Sequence, residues 1–430
     1  MSTQTQAHHP HSSVRNSGES NFKNWLWLFL AIAASIPALV LRLMELTSGY
    51  HTSPEVAAIV FGLGIVGAAF LISWASEVAQ MDMSQALALA LLALVAVLPE
   101  YAVDMVFAWK AGAHPEGVMV DGNFFDYRGY AVANMTGGNR LLVGIGWPLI
   151  ALLFWFRARK SLAVRKGVSL EILFLGAATA YSFVIFFRKE IALWDAAVLI
   201  GLFVAYMWLS SKSESEEPEL VGPSAAIGSL PERQRRFVTY GLFAYSALVI
   251  LASAEPFAEG LVEMGKSLNI DEFVLVQWVA PLASESPEIL IATIFTTRGH
   301  GAAAMMALIS SKINQWTLLV GCIPVVYSIS YGSPSALHFD TRQTEEFLLT
   351  AAQSLFAVTL LMRLRIGWLG AVVLFALFSS QLFMPSVHAR YIFSFVYLGL
   401  TALLFTVDRQ RIFIVKQMVL DAAALARGKT

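Results

Sequence analysis

The chain has 430 residues, 57% of them apolar and only 14% charged; soluble domains carry about 25% charged residues, so an ordinary cytosolic enzyme is excluded. Lys plus Arg number 29 against 30 Asp plus Glu, a formal net charge of −1, which supplies no basic field for nucleic acid. One cysteine, Cys322, excludes an intrachain disulfide. What remains is an all-α polytopic membrane protein.

Residues 1–21 are polar and lack an apolar period, so they read as a disordered tail; His8, His9 and His11 fall in that leader, with weak metal binding as their alternative role. The first apolar stretch is long for a signal-peptide core and is followed by others, so it is expected to be retained. At about 20 apolar residues per crossing, the chain offers twelve spans. They lie near 25–43, 56–76, 84–109, 129–156, 170–187, 192–209, 237–256, 273–297, 301–331, 346–362, 366–384 and 391–407. A linker at 210–236, with Glu214, Glu216, Glu217 and Glu219 and then Arg233, Arg235 and Arg236, separates a first half, 22–209, from a second, 237–407. Residues 408–430 read as a C-terminal tail. With the N-terminus cytoplasmic, nineteen Lys and Arg fall on the inner side and eight on the outer. This asymmetry supports an even number of spans, with the linker and both termini inside.

Two segments share a rhythm. The first, within about 91–148, has Pro99-Glu100 and then Asn134-Met135-Thr136-Gly137-Gly138-Asn139-Arg140-Leu141-Leu142-Val143-Gly144 and Pro148. The second, within about 279–324, has Pro287-Glu288 and then Ser311-Lys312-Ile313-Asn314-Gln315-Trp316-Thr317-Leu318-Leu319-Val320-Gly321 and Pro324. The Pro-Glu pairs superpose at an offset of 188 and the Leu-Leu-Val-Gly runs at 177, the difference falling in the first copy's longer loop, 110–128. Five spans separate the copies, so the second enters the membrane upside down. That is the construction many secondary transporters use to expose one midplane site alternately.

Glu100 and Glu288 fall inside spans, where a carboxylate costs several kcal/mol unless a cation, proton or partner compensates it. Pro99 and Pro287 break the helix beside them and free the carbonyls of Val95 and Ala283. Carboxylates beside free carbonyls suit hard cations such as Na⁺ and Ca²⁺, and the missing thiolate and imidazole ligands argue against zinc or copper. Asp104 shares a helix face with Glu100, and Glu285 with Glu288. Asn134, Thr136 and Asn139 in one copy, and Ser310, Ser311 and Asn314 in the other, add amide and hydroxyl oxygens. Their alternative role is interhelical hydrogen bonding. Arg140 and Lys312 are unexpected span charges that either stand in for a coupling ion, exchange a proton with it, or form an ion pair that fixes packing. Glu255, Glu259 and Glu263 read as a solvated helix end, and Asp121-Gly122-Asn123 with Asp126 as a solvated turn.

At these residues the sequence resembles the calcium/cation antiporter superfamily, whose two alpha-repeats pair a Ser-x-Pro-Glu helix with a Gly-Asn-x-x-Gly-Ser-Asn-x-x-Asn helix. The resemblance covers about 100 residues and implies a core of two inverted five-helix repeats, with spans one and twelve as additions. It also implies that Glu100 and Glu288 are the paired cation-binding glutamates. In the first copy Gly138 replaces the motif's serine, and in the second Glu285 stands where the family has a small hydroxyl residue.

The expectation is an ion transporter of a bacterial inner or plasma membrane, an antiporter exchanging Ca²⁺ or another hard cation for Na⁺ or H⁺. Its partners are inorganic cations and the bilayer, and it needs no cofactor beyond the transported ions. Exchange of Na⁺ for H⁺ on the same fold, or a passive cation channel, are the competing readings. An intramembrane serine hydrolase is disfavoured, because Lys312 lies about 200° around the helix from Ser310.

Overall fold

A computed structural model describes residues 17–82, 97–120, 123–164, 168–212, 220–384 and 386–427. His8, His9, His11, Val95, Asp121, Gly122 and the linker acids Glu214, Glu216, Glu217 and Glu219 lie outside the described residues.

Apolar runs with few breakers become helices almost throughout. They are α1 (Ser17–Ser48), α2 (Pro54–Ala79), α3 (Leu98–Ala113), α4 (Tyr127–Ala158), α5 (Ser169–Arg188), α6 (Leu193–Ser210), α7 (Pro223–Gly228) and α8 (Glu232–Ser267). The second half adds α9 (Glu272–Thr297), α10 (Gly301–Tyr331), α11 (Thr341–Leu361), α12 (Trp368–Leu382), α13 (Val387–Val407) and α14 (Gln410–Ala426). Among the described residues, eight helices are long and apolar enough to cross a membrane: α1, α2, α4, α5, α6, α8, α10 and α13. Helix α9 is equally long but carries Glu285 and Glu288 at mid-length. The expected C-terminal tail is largely helical, because α14 continues after Asp408 and packs on α5. Helix α8 begins at Glu232, inside the expected linker.

The centre is a crossing of α3, α4, α9 and α10, in which α4 lies along α9 and α3 along α10. Both α4 and α10 widen to π geometry for one turn, at Leu142–Gly146 and Gln315–Leu319, upstream of Pro148 and Pro324. Such turns occur frequently at functional sites. Helix α8 packs along α2, joined through Phe61, Ile65, Phe257, Ala258 and Leu261. Beyond the end of α2, Asp82 takes a two-point clamp from Arg235 at 2.9 and 2.6 Å. That guanidinium holds the Asp82 carboxyl below its usual range, so the clamp persists into mildly acidic solution.

Four two-residue strands frame the bundle: β3 (Leu162–Ala163), β4 (Glu190–Ile191), β5 (Leu337–His338) and β6 (Arg365–Ile366), after the hairpin β1–β2 (Val118–Val120, Asn123–Phe125). Strand β3 pairs with β6, placing Leu162 opposite Ile366, and β4 with β5, placing Ile191 opposite Leu337. A displacement of 175 residues carries β3 onto β5 and β4 onto β6, so the two pairs are related by an exchange of partners. The same displacement carries Lys189 onto Leu364, two residues held at positive φ of 57° and 54° just before β4 and β6.

Close approach of α4 and α9 depends on Gly137. A Cβ there would collide with the carbonyl oxygen of Gln277, whereas one on Gly201 would meet open space. Gly137→Ala is expected to cost about 1–3 kcal/mol through a forced shift of α9, while Gly201→Ala stays within about 0.5 kcal/mol. Thermal unfolding of the purified variants in detergent checks this, and equal midpoints would contradict the packing described.

Candidate cation site

Pro99 occupies the first turn of α3, where its missing N–H costs nothing, and Glu100 follows it into the central crossing. Glu100 is 2% exposed, and neither of its oxygens accepts a hydrogen bond from a described residue. Gly138 makes room for it: a Cβ there would lie 2.6 Å from Glu100 Oε1. This is a physical reason for glycine where the family motif has serine. The Glu100 carboxyl lies within hydrogen-bonding reach of Glu285, so that the two acids can share one proton, and its further electrostatic neighbours are Asp104 and Glu288. The two halves of the chain therefore bring their Pro-Glu acids into one locality.

The surrounding groups are partly satisfied. Asp104, fully buried one turn along α3, accepts from Asn134 Nδ2 at 2.9 Å, leaving Asp104 Oδ2 and Asn134 Oδ1 without donors. Glu285 accepts from Gln315 Nε2, leaving Glu285 Oε2 and Gln315 Oε1 unpartnered. Glu288 is half-buried and interacts with the Ser311 hydroxyl. Tyr101 donates to Asn314 Oδ1 at 2.6 Å and ties α3 to α10. Thr136 is spent on its own helix, bonding Val132 O at 2.7 Å.

Lys312 is fully buried at this crossing. Its ammonium donates to the carbonyl oxygen of Asn139 at 3.1 Å and to Asn139 Oδ1 at 2.6 Å. It also stands 4.5 Å from the Trp316 ring centroid and feels the charges of Glu100 and Glu285.

Two predicted site residues go elsewhere. Ser310 turns toward Tyr206, 3.5 Å away on α6, a tyrosine that also neighbours Glu171. Arg140 leaves the acid cluster altogether. It pairs with Glu346 Oε2 at 2.5 Å, donates to Gln381 Oε1 at 3.3 Å, and lies 4.9 Å from the Trp278 ring centroid. Arg390 completes that second group, reaching Glu345 and Glu346 at 2.8 Å each. Of the two span cations, Lys312 is therefore the one within electrostatic reach of the acids, through Glu100 and Glu285. The Glu255 and Glu259 carboxylates are ion-paired rather than merely solvated, with Lys110 near both and Arg42 at 3.0 Å from Glu255. Asp126 is held by Gln343 and caps α4 in position rather than in side-chain bonding.

Sequence reading missed Gln315, Gln277 and the Glu345–Glu346–Arg390 group. Gln315 was accessible, since it follows Ser311 by four residues on one helix face. Both amide atoms of the buried Gln277 lack partners. Among the described residues no three carboxyl, imidazole or thiol groups converge on one point. A bound ion would therefore draw on carboxyl and amide oxygens together. The orphan oxygens of Glu100, Asp104, Asn134, Glu285 and Gln315 are of the carboxylate and amide type that hard cations take.

With that geometry in place, the comparisons are decisive about ancestry. A family model described as "Sodium/calcium exchanger protein" matches residues 54–212 and 238–387. The chain belongs to the sodium/calcium exchanger family. A crystal structure of the H⁺/Ca²⁺ exchanger CAX is 44% identical, with 94% of this chain and 99% of that one covered at a TM-score of 0.85. The Ca²⁺/H⁺ antiporter YfkE shares the fold at 13% identity, with 87% and 99% covered and a TM-score of 0.56. The sodium-calcium exchanger NCX_Mj does so at 16% identity, with 76% and 97% covered and a TM-score of 0.52. No curated protein sequence matches this chain. As a family member with membrane-crossing helices, it is an integral membrane protein that handles inorganic cations rather than an enzyme.

The Arg140 group makes a quantitative claim, because removing one partner of a buried pair strands the other. Arg140→Met and Glu346→Gln are each expected to cost about 3–5 kcal/mol, and the double variant clearly less than their sum. Additive losses in denaturant titrations would show that the pair is not coupled.

Proposed function

We propose that this protein is a secondary antiporter that moves Ca²⁺, or another hard cation, in exchange for protons by alternating access. The observation that carries the reading is Glu100, shut away from solvent, without a donor, and facing acids from the other half of the chain. A carboxylate so placed needs a cation or a proton, and taking them in turn is exchange. Proton coupling is favoured by the 44% identity to a structure named as an H⁺/Ca²⁺ exchanger, and by a site whose acids greatly outnumber its fixed cations.

In this reading Glu100 and Glu288 bind the cargo, with Asp104, Glu285, Asn134, Gln315, Ser311 and Asn314 supplying further oxygens. Asn139 holds Lys312 beside them. Twelve spans surround the site, with both termini cytoplasmic and the molecule in a bacterial inner membrane. Two inverted five-helix repeats build the core. The exchange of strand partners under one 175-residue displacement supports this, because such reciprocity is what a two-fold relation between halves produces.

Proteoliposome flux tests the function. ⁴⁵Ca²⁺ uptake driven by a pH gradient is expected for the native protein and should stop when the gradient is collapsed. Glu100→Gln and Glu288→Gln are expected to fall to the level of protein-free vesicles. Either variant transporting normally overturns the assignment, and uptake indifferent to the gradient points to a channel. Because Glu100 has no donor, Glu100→Gln should unfold no more readily than the native protein, and removing its charge is expected to stabilise by about 1–3 kcal/mol.

A further inference from the structure

We infer that Lys312 is a built-in monovalent cation: its tethered ammonium fills the place a coupling Na⁺ would take among the acids, which makes exchange independent of Na⁺. This inference rests on the antiport reading above and assigns the source of its ion selectivity.

The tether is specific. Asn139 presents its carbonyl and its side-chain oxygen to one ammonium, and its own amide is turned by donation to Met135 O at 2.9 Å. The amide orientation is thereby fixed with Oδ1 toward Lys312. Trp316 closes another side with its ring face, a surface that attracts cations but coordinates no metal well. All three residues are buried, with Lys312 and Asn139 wholly so. The ammonium thus has two oxygens and a π face, a partial shell resembling that of a dehydrated alkali ion. It remains within electrostatic reach of Glu100 and Glu285, which belong to opposite halves of the chain.

The alternative cation, Arg140, does not serve this purpose. Its charge is taken by Glu346, itself shared with Arg390. Lys312, held by Asn139, is therefore the cationic side chain that acts on this cluster, through Glu100 and Glu285. Full ionisation leaves the cluster at −3, which a divalent ion reduces to −1. Without the ammonium the same cluster would stand at −4, and a small monovalent ion from solution would be drawn to the vacated charge position. A lysine charge attached to the chain cannot be carried across, so it contributes neutralisation without contributing a transported ion.

The test replaces the charge and looks for Na⁺ dependence. Native protein, Lys312→Met, Lys312→Arg and Asn139→Asp are reconstituted, and ⁴⁵Ca²⁺ flux under a pH gradient is compared in about 100 mM NaCl and equimolar choline chloride. Native protein and Lys312→Arg are expected to give equal flux in the two salts. Lys312→Met, which removes the ammonium, and Asn139→Asp, which pairs it off, are expected to gain about fivefold in NaCl over choline. In detergent, NaCl should raise the unfolding midpoint of these two variants and leave that of the native protein unmoved, since a ligand stabilises only the state that binds it. Should Lys312→Met fail to fold, Asn139→Asp carries the same comparison. Flux and midpoints indifferent to Na⁺ in both charge-altering variants overturn the inference, as does Na⁺-stimulated flux in the native protein. Loss of the antiport reading appears separately, as Glu100→Gln transporting normally.

Discussion

The structure turns on one unfavourable placement: a carboxylate at the crossing of four helices, with no donor to neutralise it. Burying an uncompensated charge costs several kcal/mol even after local relaxation. Lys312 offsets part of that charge from a distance, and the groups nearest Glu100 leave the rest unrelieved. Gly138 lets the helix backbone pass the acid without offering the hydroxyl that a serine would bring. Gly137 holds α4 against the α9 backbone, so the acids of the two halves stay together. Asn134 and Gln315 each satisfy one oxygen of a neighbouring acid and leave the other open. A site finished in this partial way binds what arrives, because no resident partner has to be displaced.

The Arg140 group is the opposite solution to the same problem. There two buried guanidiniums meet two buried carboxylates, and the charges cancel. The group lies one residue along α4 from Asn139, so successive side chains face a closed network and an open one. Such a network fixes α4 to α11 and α13, and gives the open site a rigid wall. The 175-residue displacement that exchanges the strand pairs also carries Glu171 onto Glu346 and Tyr206 onto Gln381. Glu171 lies near Tyr206, much as Glu346 and Gln381 meet around Arg140. The paired positions each carry an acid and a polar neighbour, and among the described residues Glu346 is the one of the two acids met by a guanidinium.

Much of this was legible in the amino-acid sequence, for definite reasons. Apolar runs of about 20 residues admit only helices in lipid, so most helical segments are legible, although α8 runs past its expected end to Ser267 and α14 lies in the expected tail. Glu100, Glu288, Asp104 and Glu285 stood out because acids are so costly there, and the structure brings them into one neighbourhood. What spacing does not show is which neighbouring helix each face meets: Ser310, Ser311 and Asn314 all lie in regular α-helix ahead of the π turn. Ser310 was grouped with Ser311 and Asn314 by spacing, yet it faces Tyr206 on another helix. Of the alternatives open for Arg140, the ion pair that fixes packing is the one found, but its partners are not identifiable from sequence: Glu345 and Glu346 sit at the edge of one expected span and Arg390 just outside another. Pairing across more than 200 residues leaves no local trace. Sequence spacing likewise could not show that Gly138 replaces a ligand with space.

The two charge groups also explain how a site can be strained while its surroundings remain firm. Orphan oxygens of the acids and their amide neighbours lie on α3, α4, α9 and α10; on α11 Glu345 Oε2 and Gln353 Oε1 also lack partners, but its two carboxylates are tied by ion pairs to Arg140 and Arg390, beside an apolar core that includes Phe347, Leu349, Phe356 and Tyr397. Stability is therefore concentrated away from the acids, and the acids lie where the two halves meet. If those halves move relative to each other during exchange, the least satisfied contacts are the ones that change, at small cost to the rest. Binding a cation or a proton would then supply the interaction that the empty arrangement lacks. Occupancy and closure are in this way linked by the same unmet oxygens, because the arrangement that best surrounds the ion is also the one in which those oxygens cease to be orphans.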